Sequence, residues 1–261
     1  MKKIGIIGCG VIGAGIAEFI SKRLKNKCRV VALCDIDLNK ARRLSRKIRP
    51  SPSIAGLDTL IKKSDLVIEA AGGKIAGIVA EKAIFNKKDC LIMSTGGLLK
   101  NPGLFKKAKA KGVSIHIPSG AICGIDGLVS ASAGKIKKVR LTTRKPVRGL
   151  IGAPYLKSRG IDIKKIKKET VIYKGTARDA VRHFPKNINV AATVSFSGIG
   201  PDRTHVRIIT SPKYKRNTHE LEVEGDFGRL FTRTENLPSR QNPKTSQLAI
   251  FSALAKLKEV V

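Results

Sequence analysis

Residues 4–15 read IGIIGCGVIGAG, the most informative stretch of the chain for its fold. A short apolar run enters a G-x-G-x-x-G turn, the pattern that joins a buried strand to a helix whose free amides hold a pyrophosphate. The first glycine of such a turn permits the bend, the second lets the backbone approach the phosphates, and the third lets the helix pack on the strand. The stretch therefore predicts a dinucleotide-binding unit with these phosphate-binding residues: Gly8, Gly10, Val11, Ile12 and Gly13.

A second strand and an acidic residue support this interpretation. Residues 29–34 form an apolar run typical of a buried strand, and Asp35 ends that run. Asp35 follows Gly13 by about 20 residues, the spacing at which a carboxylate accepts hydrogen bonds from the adenosine ribose. A carboxylate there favours NAD over NADP. Use of NADP stays open, because basic residues that could pair with a 2′-phosphate follow closely: Lys40, Arg42 and Arg43.

Further strands extend the first unit into a parallel sheet. Residues 64–71, 89–97 and 113–118 read as strands separated by helical segments, which is typical of α/β folds with right-handed crossovers. Ligands bind such sheets at the carboxyl ends of the strands. Small residues at those ends are predicted to lie against the nicotinamide half of the cofactor: Ala71, Ser94 and Thr95.

A second domain is expected, because 261 residues exceed the length of one such unit. After residue 118 the pattern changes to short helices and alternating strands, which predicts an α+β domain with a mainly antiparallel sheet. A closing helix at 245–260 is predicted to pack back on the first domain. The predicted division is a doubly wound Rossmann domain over 1–118, a substrate and dimerisation domain over 119–240, and the returning helix within 241–261.

The chain is strongly basic, with 52 Lys and Arg against 19 Asp and Glu and a formal net charge of +33. Such a field attracts nucleic acid, anionic membranes or acidic metabolites. The basic residues are scattered in pairs and aromatic residues make up only 4%, so we interpret them mostly as solvated faces that also attract dianionic substrates. Nucleic acid is not expected as a partner. The basic segment 147–168 is the exception, since its weak core pattern fits a mobile lid or a partner contact.

The remaining composition argues against several classes of protein. No apolar run is long enough for a transmembrane helix, and the N-terminus enters a core strand, so a cytoplasmic protein is expected. The five cysteines include no C-x-x-C pair, which predicts free thiols and no metal site.

Blocks spread over nearly the whole chain carry a resemblance to a known family. They read PSGAI at 118–122, TTRK at 142–145, FPKNINVAA at 184–192, NTHE at 217–220, EGDFG at 224–228 and NPKTS at 242–246. With the N-terminal glycines, they resemble the archaeal and bacterial L-aspartate dehydrogenases that feed NAD biosynthesis. The resemblance implies oxidation of L-aspartate to iminosuccinate with NAD or NADP, then hydrolysis to oxaloacetate and ammonia. It also implies cofactor contacts at Ala121 and Asn189 and a catalytic role for His219.

His219 suits the chemistry that this resemblance implies. Hydride leaves the α-carbon of an amino acid only when the nitrogen carries a free lone pair, so a group that titrates near neutrality must take a proton from the ammonium. The same side chain could act instead in imine hydrolysis. The structural alternative is a strand histidine that is merely packed or hydrogen-bonded.

A site that reads the two carboxylates of aspartate needs cations or helix amides at separated points. Candidates within the matching blocks are Ser119, Gly120, Lys186, Asn187, Lys244, Thr245 and Ser246. Asn187 and Asn189 could alternatively cap a helix or hold the nicotinamide carboxamide.

Two other functions stay open at this point. One is a related two-domain oxidoreductase of the homoserine or dihydrodipicolinate type. The other is a non-enzymatic, cofactor-sensing protein that binds nucleic acid through its basic surface. A homodimer is expected, because the second sheet offers a large face and two-fold dimers are the commonest closed assembly.

Overall fold

The computed structural model describes residues 1–101, 103–184, 188–239 and 245–261. Lys186, Asn187 and Lys244, which were predicted as substrate residues, lie outside the described residues. The chain divides into two compact units, one formed by Met1–Pro118 with Ile250–Val261 and the other by Ser119–Ala249. Each unit contains one sheet.

The first unit is built on a six-stranded sheet in which all neighbouring strands pair in parallel. Its strands are β1 (Lys2–Ile7), β2 (Cys28–Cys34), β3 (Ser53–Ile54), β4 (Leu66–Glu69), β5 (Asp89–Ile92) and β6 (Ile115–His116). The strand order β3-β2-β1-β4-β5-β6 changes direction between β1 and β4, the point where doubly wound sheets bind ligands. The predicted parallel α/β sheet is confirmed.

Helices lie between most of these strands. They are α1 (Val11–Arg23), α2 (Leu38–Lys47), α3 (Leu57–Lys63), α4 (Gly73–Phe85) and α5 (Leu104–Ala110). The strand predicted over 89–97 is shorter than expected, because β5 ends at Ile92 and Thr95–Lys100 forms a 3-10 helix. Thr95 therefore lies in a helical turn rather than at the end of a strand.

The second unit contains a mixed five-stranded sheet of order β11-β10-β7-β9-β8. Its strands are β7 (Ile136–Pro146), β8 (Thr170–Thr176), β9 (Thr204–Ser211), β10 (Asn217–Gly225) and β11 (Gly228–Asn236), and its helices are α6 (Ile125–Ala131), α7 (Pro154–Ser158), α8 (Ala177–His183) and α9 (Asn189–Ser197). Pairing is antiparallel except between β7 and β9. The mainly antiparallel sheet of an α+β unit is thus confirmed.

Helical periodicity places the core of the first unit. In α1 the buried residues recur every three or four positions, at Gly13, Ile16, Ala17 and Ile20. Ile16, Ala17 and Ile20 join an apolar cluster with the strands, and the last helix, α10 (Gln247–Val260), contributes Ala253 and Leu257 to it. Burying an isoleucine side chain fully stabilises a fold by about 1.5–3 kcal/mol. Lys2 Nζ adds a 2.6 Å hydrogen bond to the carbonyl of Val260.

The basic segment 147–168 differs from its sequence-based interpretation. It contains α7, and Leu150, Leu156 and Ile163 are at most 5% exposed. The Tyr155 ring packs against other aromatic rings, with its centroid 5.3 Å from that of Phe184. The sequence did not reveal these buried residues, because they stand among lysines at intervals that match neither a helix nor a strand. It is a packed part of the second unit.

No helix in the described parts of the chain is long and apolar enough to cross a membrane. All five cysteines carry free thiols, as predicted, and only Cys123 is exposed.

Candidate active site

The glycine turn of the first unit has the geometry that its sequence predicted. Gly8 has a φ of +94°, and its amide donates to the carbonyl of Cys34 over 2.8 Å. A Cβ on Gly13 would lie 1.8 Å from the carbonyl oxygen of Gly8, so only glycine fits where α1 meets the turn. A Cβ on Gly10 would meet no atom within 4 Å. The turn is therefore tightly packed behind Gly8 and Gly13 and open in front of Gly10.

The first turn of α1 lies beside that opening. Gly10 precedes the helix without a side-chain cap, and no acidic residue lies in the first turn. The first N–H groups of a helix have no partner within the helix, and together with the helix dipole they attract anions. Val11 and Ile12 occupy this first turn and can present such amides to a phosphate.

Asp35 ties the second strand to the glycine turn. Its Oδ2 accepts a 2.6 Å hydrogen bond from the amide of Cys9, and its Oδ1 accepts a 2.8 Å bond from the amide of Asp37. Each carboxylate oxygen can accept a further hydrogen bond. The residue is only partly buried, so it can anchor the turn and still receive hydroxyl groups from a ligand.

Glu69 is a functional candidate that the sequence reasoning did not select. This carboxylate, at the end of β4, is fully buried and accepts hydrogen bonds from the amides of Ala71, Gly72 and Ser94 and from the Ser94 hydroxyl, all within 2.9 Å. Burial nevertheless raises the pKa of its carboxyl, and the hydrogen bonds oppose that rise. The signal was a lone acidic residue ending the apolar run LVIE.

Two of the predicted cofactor residues, Ala71 and Ser94, use their hydrogen-bond donors to bind Glu69. Both the amide and the hydroxyl of Ser94 donate to Glu69, and the amide of Ala71 does so too. Thr95 is 1% exposed. These residues shape the ends of β4 and β5, and a ligand there would meet mainly the backbone.

His219 lies on β10, the strand between β7 and β11. Its partners in register are Thr143 on β7 and Thr234 on β11. The side chain is 4% exposed, and its Nδ1 lies 2.9 Å from the hydroxyl of Thr143. Burial, and secondarily the charge of Lys145, lowers the pKa of His219 to about 3. The imidazole is therefore neutral at physiological pH, and its pKa lies well below the near-neutral value that the sequence interpretation expects of the base.

Lys145 shares the sheet face that carries His219. It stands two residues beyond Thr143 on β7, and residues two apart along a strand point to the same side. Lys145 is 7% exposed, and burial lowers its pKa to about 8. A cation is thus held beside the imidazole within the second unit, a feature that sequence spacing alone did not reveal.

The loop before α6 covers this face. The Ala121 carbonyl accepts a 2.9 Å hydrogen bond from Nδ2 of Asn236, and the Cys123 amide donates to the hydroxyl of Thr234 over 3.1 Å. Since Thr234 is the register partner of His219, the loop lies on the side of the sheet that carries the imidazole. Ser119 and Gly120 precede Ala121 in the same loop and are half-buried. Asn236, which sequence reasoning missed, holds the loop in place.

The remaining predicted residues lie elsewhere in the second unit. Asn189 is the first residue of α9. The Thr245 carbonyl accepts a 2.7 Å hydrogen bond from the amide of Ser239, and Ser246 pairs with Pro238 in an isolated bridge. Thr245 and Ser246 are thus held by backbone pairing.

A parallel sheet with a glycine turn, followed by a mixed sheet with a buried histidine, defines the class of two-domain dinucleotide-dependent dehydrogenases. Residues 126–260 match the family model described as aspartate dehydrogenase, C-terminal, and residues 8–118 match the homoserine dehydrogenase NAD binding domain.

Individual relatives define the family further. The L-aspartate dehydrogenase of Methanosarcina barkeri is 45% identical over 100% of this chain and 97% of its own, and that of Nitrosopumilus maritimus is 38% identical over 99% and 96%. The crystal structure of aspartate dehydrogenase from Thermotoga maritima superposes with a TM-score of 0.74 at 25% identity, over 100% of this chain and 97% of that one. The chain belongs to the L-aspartate dehydrogenase family, which confirms the resemblance.

Proposed function

We propose that this protein oxidises L-aspartate to iminosuccinate with a nicotinamide dinucleotide, and that the imine hydrolyses to oxaloacetate and ammonia when nothing consumes it. The observation that carries the proposal is the buried His219 imidazole, hydrogen-bonded to Thr143, with Lys145 on the same sheet face. Its strand lies in the part of the chain matched by the aspartate dehydrogenase model.

The glycine turn fits a dinucleotide. The open space before Gly10 and the uncapped start of α1 suit a pyrophosphate, while Asp35 has acceptor capacity left for ribose hydroxyls. When bound, the nicotinamide ring supplies the acceptor for the hydride that leaves the α-carbon of the substrate. Ala71, Ser94 and Thr95 of the first unit, and Ala121 and Asn189 of the second, are the further residues that we assign to the cofactor.

NAD is the cofactor that the local contacts favour. Asp35 would repel a 2′-phosphate, and two of the nearby basic residues already have partners. Lys40 Nζ lies 3.5 Å from a carboxylate oxygen of Asp37, and Arg43 Nε donates to the carbonyl of Asn39 over 3.3 Å. A 2′-phosphate would have to compete with these contacts.

His219 acts on the substrate nitrogen. An amine transfers hydride only as the free base, so we assign the proton of the substrate ammonium to the His219 imidazole. The negative carboxylates of bound aspartate would raise the pKa of this imidazole from about 3 toward the range in which it can act as the base. If the Nδ1–H group donates to the Thr143 hydroxyl, the lone pair is on Nε2, the nitrogen free to act as the base. Lys145 and the amides of Ser119 and Gly120 complement the negative charge of the carboxylates. Thr245, Ser246 and the residues outside the described ranges, Lys186, Asn187 and Lys244, stay as substrate candidates.

The test is a cofactor-linked assay of the full chain. NADH formation from L-aspartate supports the proposal, with NAD and NADP compared in parallel and the reverse reaction run with oxaloacetate and ammonia. L-Homoserine is the discriminating substrate, because the cofactor-binding part of the chain matches a homoserine dehydrogenase model. Oxidation of homoserine but not of aspartate would identify the second candidate function.

We also propose a cytoplasmic homodimer that contributes to NAD biosynthesis. The outer strand β11 and its turn expose Phe227 and Phe231, at 49% and 54%. Exposed aromatic side chains are enriched in protein interfaces, and a two-fold dimer would pair this strand with its copy. Light scattering of the wild type and of Phe231→Ser tests the assembly, since a monomeric wild type would contradict it.

A further inference from the structure

A basic cavity of about 580 Å³ opens in the second unit, on strands β7, β8 and β9. Its cationic and imidazole lining consists of Lys137, Lys138, Arg140, Lys174, His205 and Arg207. Small-molecule sites commonly have volumes of about 300–1,000 Å³, so the cavity is large enough for a metabolite. Among the described residues that line the cavity, none carries a carboxylate and only His205 carries an aromatic ring.

This cavity lies on the opposite face of the sheet from His219. In β7, Arg140 is an odd number of residues from Thr143, and alternate residues of a strand point to opposite sides. Arg140 pairs in register with His205 of β9, and Arg207 follows two residues later on the same side. The cavity is therefore separate from the candidate catalytic face of the sheet.

Strand register places two of the cations directly opposite each other. Lys174 on β8 is the register partner of Arg207 on β9. Like charges at such a position destabilise a sheet when nothing neutralises them. Among the described residues, neither Lys174 nor Arg207 has a carboxylate partner. The repulsion between Lys174 and Arg207 therefore destabilises this part of the sheet, and a bound anion would remove that repulsion.

Arg207 supplies a second, independent observation. Its Nε is buried and has no hydrogen-bond partner among the described residues. Leaving a buried donor unsatisfied costs roughly 1–3 kcal/mol, and more when the group is charged. An acceptor in the cavity would satisfy this donor.

The other cations are partly neutralised. Lys138 Nζ lies 3.0 Å from Glu222 and 2.7 Å from Glu224, Arg140 lies 3.4 Å from Glu222, and Lys137 lies 2.9 Å from Asp226. These pairs leave Lys174 and Arg207 as the uncompensated charges. A ligand of matching charge carries at least two negative charges.

We propose that this cavity binds the phosphate chain of a small polyphosphate anion, with Arg207 and Lys174 as its principal contacts. Guanidinium forks bind phosphate oxygens in pairs, and lysine adds a point charge. His205 is the one ring among the described lining residues that could stack on a base, so the cavity recognises the phosphate chain and an attached nucleoside contributes little. Free polyphosphate and a nucleotide share this chemistry.

The test is a calorimetric titration of the full chain with tripolyphosphate and with ATP, in saturating NADH so that the glycine turn does not contribute. Lys174→Gln/Arg207→Gln should weaken binding by about tenfold or more for each lost cation. Lys62→Gln/Lys63→Gln, which removes the same charge from the exposed end of α3, should bind as the wild type does. ATP and tripolyphosphate should bind with similar affinity. A much higher affinity for ATP would mean that the cavity recognises the base, which would contradict the proposal.

Three further results would overturn the proposal. One is wild-type binding that vanishes once ionic strength is matched with NaCl. Another is equal loss of affinity in both double variants, which would indicate general charge attraction. The third is binding of a DNA duplex, but not of tripolyphosphate, that depends on Lys174 and Arg207. Arg207→Lys is a second test in case the double glutamine variant does not fold. It keeps the positive charge but loses the paired guanidinium donors, so it should lose part of the affinity for tripolyphosphate.

Discussion

The hydroxyl of Thr143 lies 2.9 Å from Nδ1 of His219, and both side chains are buried in the second unit. The two residues are direct neighbours across β7 and β10. Because the imidazole has a hydrogen-bond partner at Nδ1, its ring orientation is set before any substrate arrives. The basic nitrogen is thereby placed by the sheet rather than by a loop.

Removing that hydroxyl should impair catalysis with little effect on folding. We expect Thr143→Val, which keeps the volume, to lower kcat for aspartate by about 10- to 100-fold, since one buried hydrogen bond to the base is lost. Thr143→Ser retains the hydroxyl and should keep most of the activity. Steady-state kinetics measures both. Wild-type kcat in Thr143→Val would show that the hydrogen bond to His219 is not needed.

Replacing the imidazole should separate chemistry from cofactor binding. His219→Gln should lower kcat by about 10²- to 10⁴-fold, the usual contribution of a general base. NADH affinity, measured by fluorescence titration, should change little, because the glycine turn is in the first unit. Full turnover by this variant would remove His219 from the mechanism.

The charge of Lys145 should be visible in the titration of His219. Lys145→Met removes a nearby positive charge, so the pKa of His219 should rise from about 3, yet stay below its ordinary value because burial is the larger cause. Lys145→Arg keeps the charge and should leave the titration nearly unchanged. NMR of the imidazole Cε1 proton follows both. An unchanged His219 pKa in the methionine variant would mean that Lys145 does not act on the imidazole.

The depressed pKa of His219 also predicts acid destabilisation. The unfolded chain takes up a proton below about 6.5, whereas the folded chain does so only near 3, so stability falls as the pH drops through this window. Denaturant unfolding between pH 7 and 4 should show a smaller loss for His219→Gln than for the wild type. Glu69 makes the opposite contribution, because its raised pKa favours the folded state on acidification. Both proteins contain Glu69, so its contribution cancels when their free energies of unfolding are subtracted. Parallel pH profiles would refute the assignment.

Two glycines of the turn should respond differently to alanine. Gly13→Ala places a Cβ against the backbone of Gly8, and overpacking of this kind costs about 1–3 kcal/mol or more. Gly10→Ala meets no protein atom, so the protein should unfold at the wild-type denaturant midpoint but bind NADH more weakly. If Gly10→Ala binds NADH normally, the pyrophosphate does not approach this backbone.

Much of the fold was predictable because its signals are local. The glycine turn, the apolar strands of the first sheet and the amphipathic α1 each depend on residues close together in sequence. The segment 147–168 gave no such local signal of its packing. Its buried Leu150, Leu156 and Ile163 follow no regular period and pack only in three dimensions.

The parallel sheet and the dinucleotide turn follow from the spacing of residues along the chain, and the family follows from sequence blocks that resemble those of a known family. The shared sheet face of Thr143, Lys145 and His219 could be seen only in the folded chain, since Thr143 and His219 are separated by 76 residues and meet only through strand pairing. The folded chain likewise shows that Glu69 joins the ends of β4 and β5. Burial keeps the His219 imidazole neutral, and strand register places Thr143 beside it. No local sequence pattern encodes either effect.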